Sequence, residues 1–196
     1  MKNKLLSLLF CMIAGVFALA GCNAEETNSK KEVENKAEET TAEATKANET
    51  AMEEDSDLKT ITFEEISFQI PSTAEELDMG DQGLPMELYM LDAALGTNFN
   101  VLVETLPQTM SLDEYIELAT ANTGYEYLSK ENFTSNGIEW NEAISLNHSD
   151  QGTVKLNQRT FIIEDKAYVF TYGAVPDNFD SSLDVYKDIT DSVTVE

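Results

Sequence analysis

His148 is the only histidine in the chain, and it stands directly before Ser149 and Asp150. A histidine beside a hydroxyl and a carboxylate is the material of nucleophilic catalysis: the imidazole takes the hydroxyl proton and the acid orients the ring. The sequence has no Gly-x-Ser-x-Gly elbow to present such a hydroxyl. The three residues also fall at the end of a strand-like run, which predicts an exposed polar histidine and no catalytic role. Carboxylates form two further groups. Asp78 and Asp81 with Gly83 share something with a calcium loop; Asp177, Asn178, Asp180 and Asp184 make the second cluster. Neither has the Asp-x-Asp-x-Asp-Gly spacing with a bidentate Glu at the twelfth position. The second group reads more simply as acids at a helix N-terminus, where they stabilise the dipole and cap the helix. So acidic a surface leaves weak Ca²⁺ binding open.

Trp140, Tyr125, Tyr127, Tyr168 and Tyr172 gather on strand-like segments. They could stack on sugar rings, but core and cross-strand packing is the preferred reading. Gly-rich phosphate loops, zinc spacings and dinucleotide fingerprints are absent. No catalytic, cofactor-binding or metal-ligating residue is predicted, and the chain is read as non-enzymatic.

The residue type with the clearest chemistry is Cys22. Lys2 and Lys4 give a short positive start, and Leu5 to Leu19 is an almost unbroken apolar run. That run suits a secretory signal and is short for a membrane span. Leu19-Ala20-Gly21-Cys22 resembles the bacterial lipoprotein signal. The resemblance implies a diacylglyceryl group on the Cys22 sulfur and cleavage after Gly21, so 1–21 is expected to be a signal peptide. Two acyl chains anchor stably where one is marginal, because each buried CH₂ contributes about 0.8 kcal/mol. The only other cysteine, Cys11, lies inside the leader. The mature chain is then expected to hold no disulfide and to rely on its core alone.

From Cys22 to about Leu58 the chain is almost entirely Glu, Thr, Ala, Lys, Asn and Ser, with Val33 and Met52 its main apolar residues. Such a composition cannot bury enough surface to offset the entropy of ordering, so 22–58 is read as a disordered acidic linker. It would average about 30–35 Å between its ends and hold a domain off the bilayer.

The formal net charge is −25. With no basic patch to release phosphate counterions, nucleic acid is excluded as a partner. The field also repels anionic lipid, so membrane contact is expected through the lipid alone.

Residues 59–196 suit one domain. Thr60 to Phe63 and Ile66 to Ile70 alternate as strands, and Pro71 ends the second. Glu87 to Leu91 and Asn98 to Thr105 follow, the latter with Phe99, Val101 and Val103 on one face. Ser111 and Glu114 form a capping box that opens a helix with Leu112, Tyr115, Ile116 and Ala119 inward; Asn122 or Gly124 ends it. Tyr125 to Thr134 leads through Asn136-Gly137, a strong hairpin signal, into a strand whose Ile138, Trp140, Ile144 and Leu146 share one side. Two more strands follow, Thr153 to Ile163 and Tyr168 to Tyr172. A helix over 182–191, capped by Asp180 or Ser181, and an exit strand over 192–195 close the chain. Short connections between strands require antiparallel neighbours, so the domain is α+β.

The order of Phe68-Gln69-Ile70-Pro71, Phe99 to Val103, the Ser111 to Tyr115 helix start, the Asn-Gly hairpin before Trp140 and the closing Tyr186 to Val193 helix resembles the PsbP/DcrB-like superfamily, which includes Mog-type proteins. The resemblance implies a central, mostly antiparallel sheet with helices on both faces (an α/β/α sandwich). It also implies a binding or assembly role for a lipoprotein at the extracytoplasmic face of the cell membrane, with an envelope protein as partner. A ligand-binding lipoprotein serving uptake of a small solute or cation is the alternative. No functional residue carries over from the superfamily.

Overall fold

The computed structural model describes residues 57–80 and 82–196. The expected signal peptide, Cys22, nearly all of the expected linker and Asp81 lie outside the described residues.

Alternation of apolar and polar residues does most of the folding work. β1 (Leu58–Phe63) and β2 (Ile66–Pro71) form an antiparallel hairpin. In β2, Ile66, Phe68 and Ile70 are buried on one side while Gln69 is exposed. The strand therefore begins at Leu58, inside the stretch read as linker. This hairpin does not join the main sheet. With β10 (Thr194–Val195) it makes a separate three-stranded sheet in the order β1-β2-β10.

The main sheet has seven strands: β3 (Glu75–Glu76), β4 (Met86–Asp92), β5 (Thr97–Thr105), β6 (Glu126–Ser135), β7 (Ile138–Ser149), β8 (Gly152–Ile163) and β9 (Lys166–Ala174). Their order is β3-β4-β5-β9-β8-β7-β6, and every pairing is antiparallel. Asn136 and Gly137 turn β6 into β7 with φ of 51° and 78°. Positive φ at both central residues is the hairpin geometry that matches strand twist.

The two helices take opposite sides of this sheet. α1 (Leu112–Thr120) has the expected capping box, with the Ser111 hydroxyl accepting from Glu114 N–H and the Glu114 carboxylate accepting from Ser111 N–H. Leu112, Tyr115, Ile116 and Ala119 pack on Ala167 and Val169. The helix stops at Thr120, and Asn122 and Gly124 carry the chain away with φ of 63° and 76°. On the other face α2 (Leu183–Asp191) lays Tyr186 and Ile189 beside the small sheet, over Phe99, Phe161, Phe170 and Tyr172. Fully burying such side chains contributes about 1.5–3 kcal/mol each, the main source of stability here.

Two expectations are corrected. Neither Asp180 nor Ser181 caps α2: Pro176 fixes a separate 3₁₀ turn over Pro176–Ser181, and Ser182 is the N-cap without a capping side-chain hydrogen bond. Its hydroxyl instead pairs with that of Thr97 at 3.0 Å. In β7, Ile138, Trp140, Ile144 and Leu146 do share a side, but of these only Trp140 is buried, whereas Asn141, Ala143 and Ser145 on the opposite side are all buried. That strand is paired along both edges, with β6 and β8, and has buried residues on both faces, so one-sided patterning does not describe it.

Candidate functional site

His148 lies near the end of β7, exposed, as expected. Ser149 and Asp150 do not flank it in space as a triad. Its Nδ1 meets Thr153 Oγ1 at 2.9 Å and its Nε2 meets Glu126 Oε2 at 3.2 Å. Both partners are cross-strand neighbours: Thr153 stands opposite His148 on β8, and Glu126 opposite Leu146 on β6. The side chains of His148 and Glu126 are more than half exposed, so the trio bonds in water-like dielectric, where charge pairs contribute little. The Ser149 hydroxyl is spent in the turn, donating to Gly152 O at 3.0 Å.

The acidic clusters resolve into local structure. Asp78 Oδ1 accepts from Gly80 N at 2.8 Å. Asn178 Nδ2 reaches Leu95 O at 3.1 Å and Ser181 Oγ reaches Asn178 O. Asp177 sits in the first turn of the 3₁₀ segment and Asp184 in that of α2. Among the described residues no three His, Cys, Asp or Glu side chains converge as metal ligands.

The aromatic set divides. Trp140, Tyr168 and Tyr172 are core residues, with Trp140 edge-on to Phe161 at 4.4 Å and Tyr172 stacked on Tyr186 at 5.4 Å. Tyr125 and Tyr127 stay half-buried side by side, ring centres 6.3 Å apart.

The strongest polar constellation is one that sequence reasoning missed. Arg159 is buried on β8. Its Nε donates to Glu142 Oε1 at 2.9 Å, and its Nη1 to Thr190 Oγ1 at 2.6 Å and Asp191 Oδ1 at 3.0 Å. The guanidinium also lies 4.8 Å from the Phe133 ring centre. Asn157 Nδ2 adds a bond to Glu142 Oε1 at 3.0 Å. Burial alone would raise the Glu142 carboxyl, but the Asn157 and Arg159 hydrogen bonds and the Arg159 and Lys187 charges outweigh it and hold it below the usual carboxylate range. This network fastens α2 to the sheet.

Two buried tyrosine–carboxylate pairs behave likewise. Tyr115 donates to Glu104 and Tyr89 to Glu87, both at 2.6 Å. Burial first, then the adjacent carboxylate, keeps both phenols protonated far above their ordinary value. A crevice beneath α1, lined by Tyr115, Ile116, Ala119, Gln158 and Thr160 among others, has room for about one water molecule.

With the two-sided sheet and its separate hairpin established, solved structures of the same architecture can be compared. The solution structure of the cyanobacterial PsbP protein (CyanoP) of Synechocystis superposes with a TM-score of 0.56, covering 76% of this chain and 98% of that one at 12% identity. The fold is PsbP-like. A protein of unknown function from Pseudomonas aeruginosa has a TM-score of 0.52 at 10% identity, covering 71% of this chain and 97% of its own. LpqN, described as involved in cell envelope biogenesis of Mycobacterium tuberculosis, has a TM-score of 0.50 at 14% identity, covering 66% and 82% respectively. No protein-family model matches the sequence, and no curated protein matches it. At these identities the PsbP-like likeness is one of fold.

Proposed function

We propose that the chain is a surface lipoprotein, anchored by diacylglyceryl on Cys22 at the extracytoplasmic face of the cell membrane. Its PsbP-like domain binds an envelope protein and assists assembly of a complex, without catalysis. The observation that carries this reading is the likeness in fold to LpqN, a protein of envelope biogenesis. The Leu-Ala-Gly-Cys signal at Leu19 to Cys22 supports the same setting for this chain. Among the described residues no helix is long and apolar enough to cross a membrane; the lipid expected on Cys22 is what supports membrane attachment in this reading. The strong negative charge favours a partner with a basic surface through steered association.

Affinity capture with the lipidated full chain from its own membranes tests the partner: one envelope protein enriched at 1:1 supports the reading, and its absence under crosslinking rejects it. The anchor is tested separately. Cys22→Ser should release the chain from the membrane fraction, and a variant that still sediments there overturns the anchor.

A further inference from the structure

An edge strand offers unpaired N–H and C=O groups to any other strand, and folded chains blunt their edges against it. Among the described residues the edges are β3 and β6 in the main sheet, β1 and β10 in the small one. Three of them are guarded. β3 and β10 are two residues long. β6 carries a bulge between Tyr127 and Ser129 and the charges of Glu126, Lys130 and Glu131. β1 has none of these devices. Its pairing with β2 is unbroken from Leu58 to Phe63 and it holds no proline. Its one ionisable residue, Lys59, is spent on Ala74 O at 2.8 Å.

Parity shows which main-chain groups β1 offers. Gln69 N–H donates to Ser192 Oγ, Glu65 O accepts from Glu196 N–H, and Ser67 stands opposite Thr194, so these three bond toward β10. Ile66, Phe68 and Ile70 then bond toward β1, where their partners are Phe63, Ile61 and Lys59. In an antiparallel ladder the residues between such pairs turn their N–H and C=O the other way. Those of Thr60 and Thr62 therefore point off the outer edge, and among the described residues no strand pairs with them there. Both residues are exposed. Thr60, Ile61 and Thr62 are β-branched and suit a strand pairing. Exposed carboxylates stand at both ends of the strand, Asp57 before it and Glu64 and Glu65 after it. Lys166 pairs with the last two and offsets only part of that charge.

We infer that the outer edge of β1 takes up an extended strand from a basic partner protein, with β-branched or apolar residues at its centre and Lys or Arg at its ends. Main-chain hydrogen bonds at Thr60 and Thr62 add that strand to the small sheet, and the acidic ends select its charge. A second copy of this chain is disfavoured: two molecules of net charge −25 repel. The inference rests on the reading of an envelope protein as partner and names the surface and the segment through which it binds.

Thr60→Pro is the diagnostic variant. Proline removes the outward N–H without removing a ladder bond to β2, which is where an edge tolerates it. The full chain and this variant, with melting curves to confirm folding, are titrated by NMR with the blocked heptapeptide Lys-Val-Thr-Val-Thr-Val-Lys. Two controls are the same peptide with Glu at both ends and the Lys peptide N-methylated at its five central residues. The Lys-ended peptide should bind the native chain and slow amide exchange at Thr60 and Thr62. Thr60→Pro, the Glu ends and N-methylation should each weaken binding about tenfold or more. No binding, or equal binding in any of the three comparisons, overturns the inference; if Thr60→Pro does not fold, the two peptide controls decide. Sedimentation of the native chain alone should show a monomer, and a dimer abolished by Thr60→Pro would put a second copy on the edge and overturn it as well. Affinity capture separates this inference from the reading it rests on. An envelope protein captured equally by the native chain and Thr60→Pro keeps that reading and overturns the edge, whereas capture of none rejects the reading and leaves the peptide titration to decide the edge.

Discussion

Arg159 and Glu142 meet across adjacent strands, Nε to Oε1 at 2.9 Å, with the arginine side chain 8% exposed and the glutamate 24%. The same guanidinium continues to Thr190 and Asp191 at the end of α2. One residue therefore ties β7, β8 and α2 together. The tie adds to the core packing of Tyr186 and Ile189 in holding α2, whose N-terminus has no capping side-chain hydrogen bond. Removing one partner of a buried pair leaves the other charge uncompensated, which costs about 3–5 kcal/mol. Partial exposure of Glu142 and Asp191 moves the expected figure to the low end. Arg159→Ala should lower unfolding free energy in urea by about 3 kcal/mol, and Asp191→Ala by about 1 kcal/mol or less. Equal effects from the two would show that Arg159 is not the centre of the network.

Glu142 also sets a direction for pH. Its carboxyl titrates below the ordinary value of 4.5 when folded, because the hydrogen bonds and charges of its neighbours outweigh burial. A depressed folded-state value means that stability is present above the unfolded-state titration and is lost as pH falls through the folded one. The stability gap between the native chain and Glu142→Gln should therefore be constant from neutral pH down to roughly pH 5 and close below it. Urea titrations at stepped pH check this. A gap that instead closes as pH rises would contradict the Arg159 assignment.

The capping box gives a local test. Ser111 Oγ accepts from Glu114 N at 3.2 Å, and Ser111 N–H reaches the Glu114 carboxylate at 2.8 Å. Ser111→Ala should cost about 1 kcal/mol. The double variant Ser111→Ala with Glu114→Gln should cost less than the sum of the singles, since the two bonds close one ring. Strict additivity in a thermal-melt cycle would mean that the two halves act independently.

Much of this fold was legible because local signals agreed with the tertiary outcome. Phe99, Val101 and Val103 alternate into the core as their spacing implies, and Ser111 to Ala119 forms the helix its capping box announces. The misses share a cause. Pro176 restarts the chain as a 3₁₀ turn, and a proline six residues before the N-cap Ser182 is ambiguous in one dimension. Ala143 is buried beneath α1 beside Tyr115, Ile116 and Ala119, on the same side of β7 as buried Asn141 and Ser145, a side that apolar alternation did not mark as covered. The Arg159 network joins residues 142, 157, 159, 190 and 191, and only the closing of β8 onto α2 brings them together. Thr153 as partner of His148 was within reach, since the Ser149–Gly152 turn sets 148 opposite 153.

Gly137 tests the hairpin that aligns this register. Its φ is 78°, and a Cβ there would meet nothing within 4 Å. Gly137→Ala should therefore cost only the left-handed backbone penalty, about 1 kcal/mol. Asn136 is held by its Nδ2 on Asp191 O at 2.5 Å, so Asn136→Ala loses a turn residue and an α2 contact together. It should destabilise more than Gly137→Ala in the same urea assay. The reverse order would show that the hairpin is set by strand pairing alone.

His148 supplies the sharpest test of the non-catalytic reading, because its geometry is superficially that of a relay. Threonine on one ring nitrogen and glutamate on the other could pass a proton. The surroundings argue the other way: the imidazole and the carboxylate are both more than half in solvent, where pre-aimed donors contribute least to a developing oxyanion. His148→Ala should shift stability by less than about 0.5 kcal/mol, as surface substitutions do. It should also leave partner capture and membrane fractionation unchanged. Hydrolysis of ester or amide substrates by the native chain that vanishes in His148→Ala and in Thr153→Val, with both variants folded, would make the trio catalytic and end the binding-only reading.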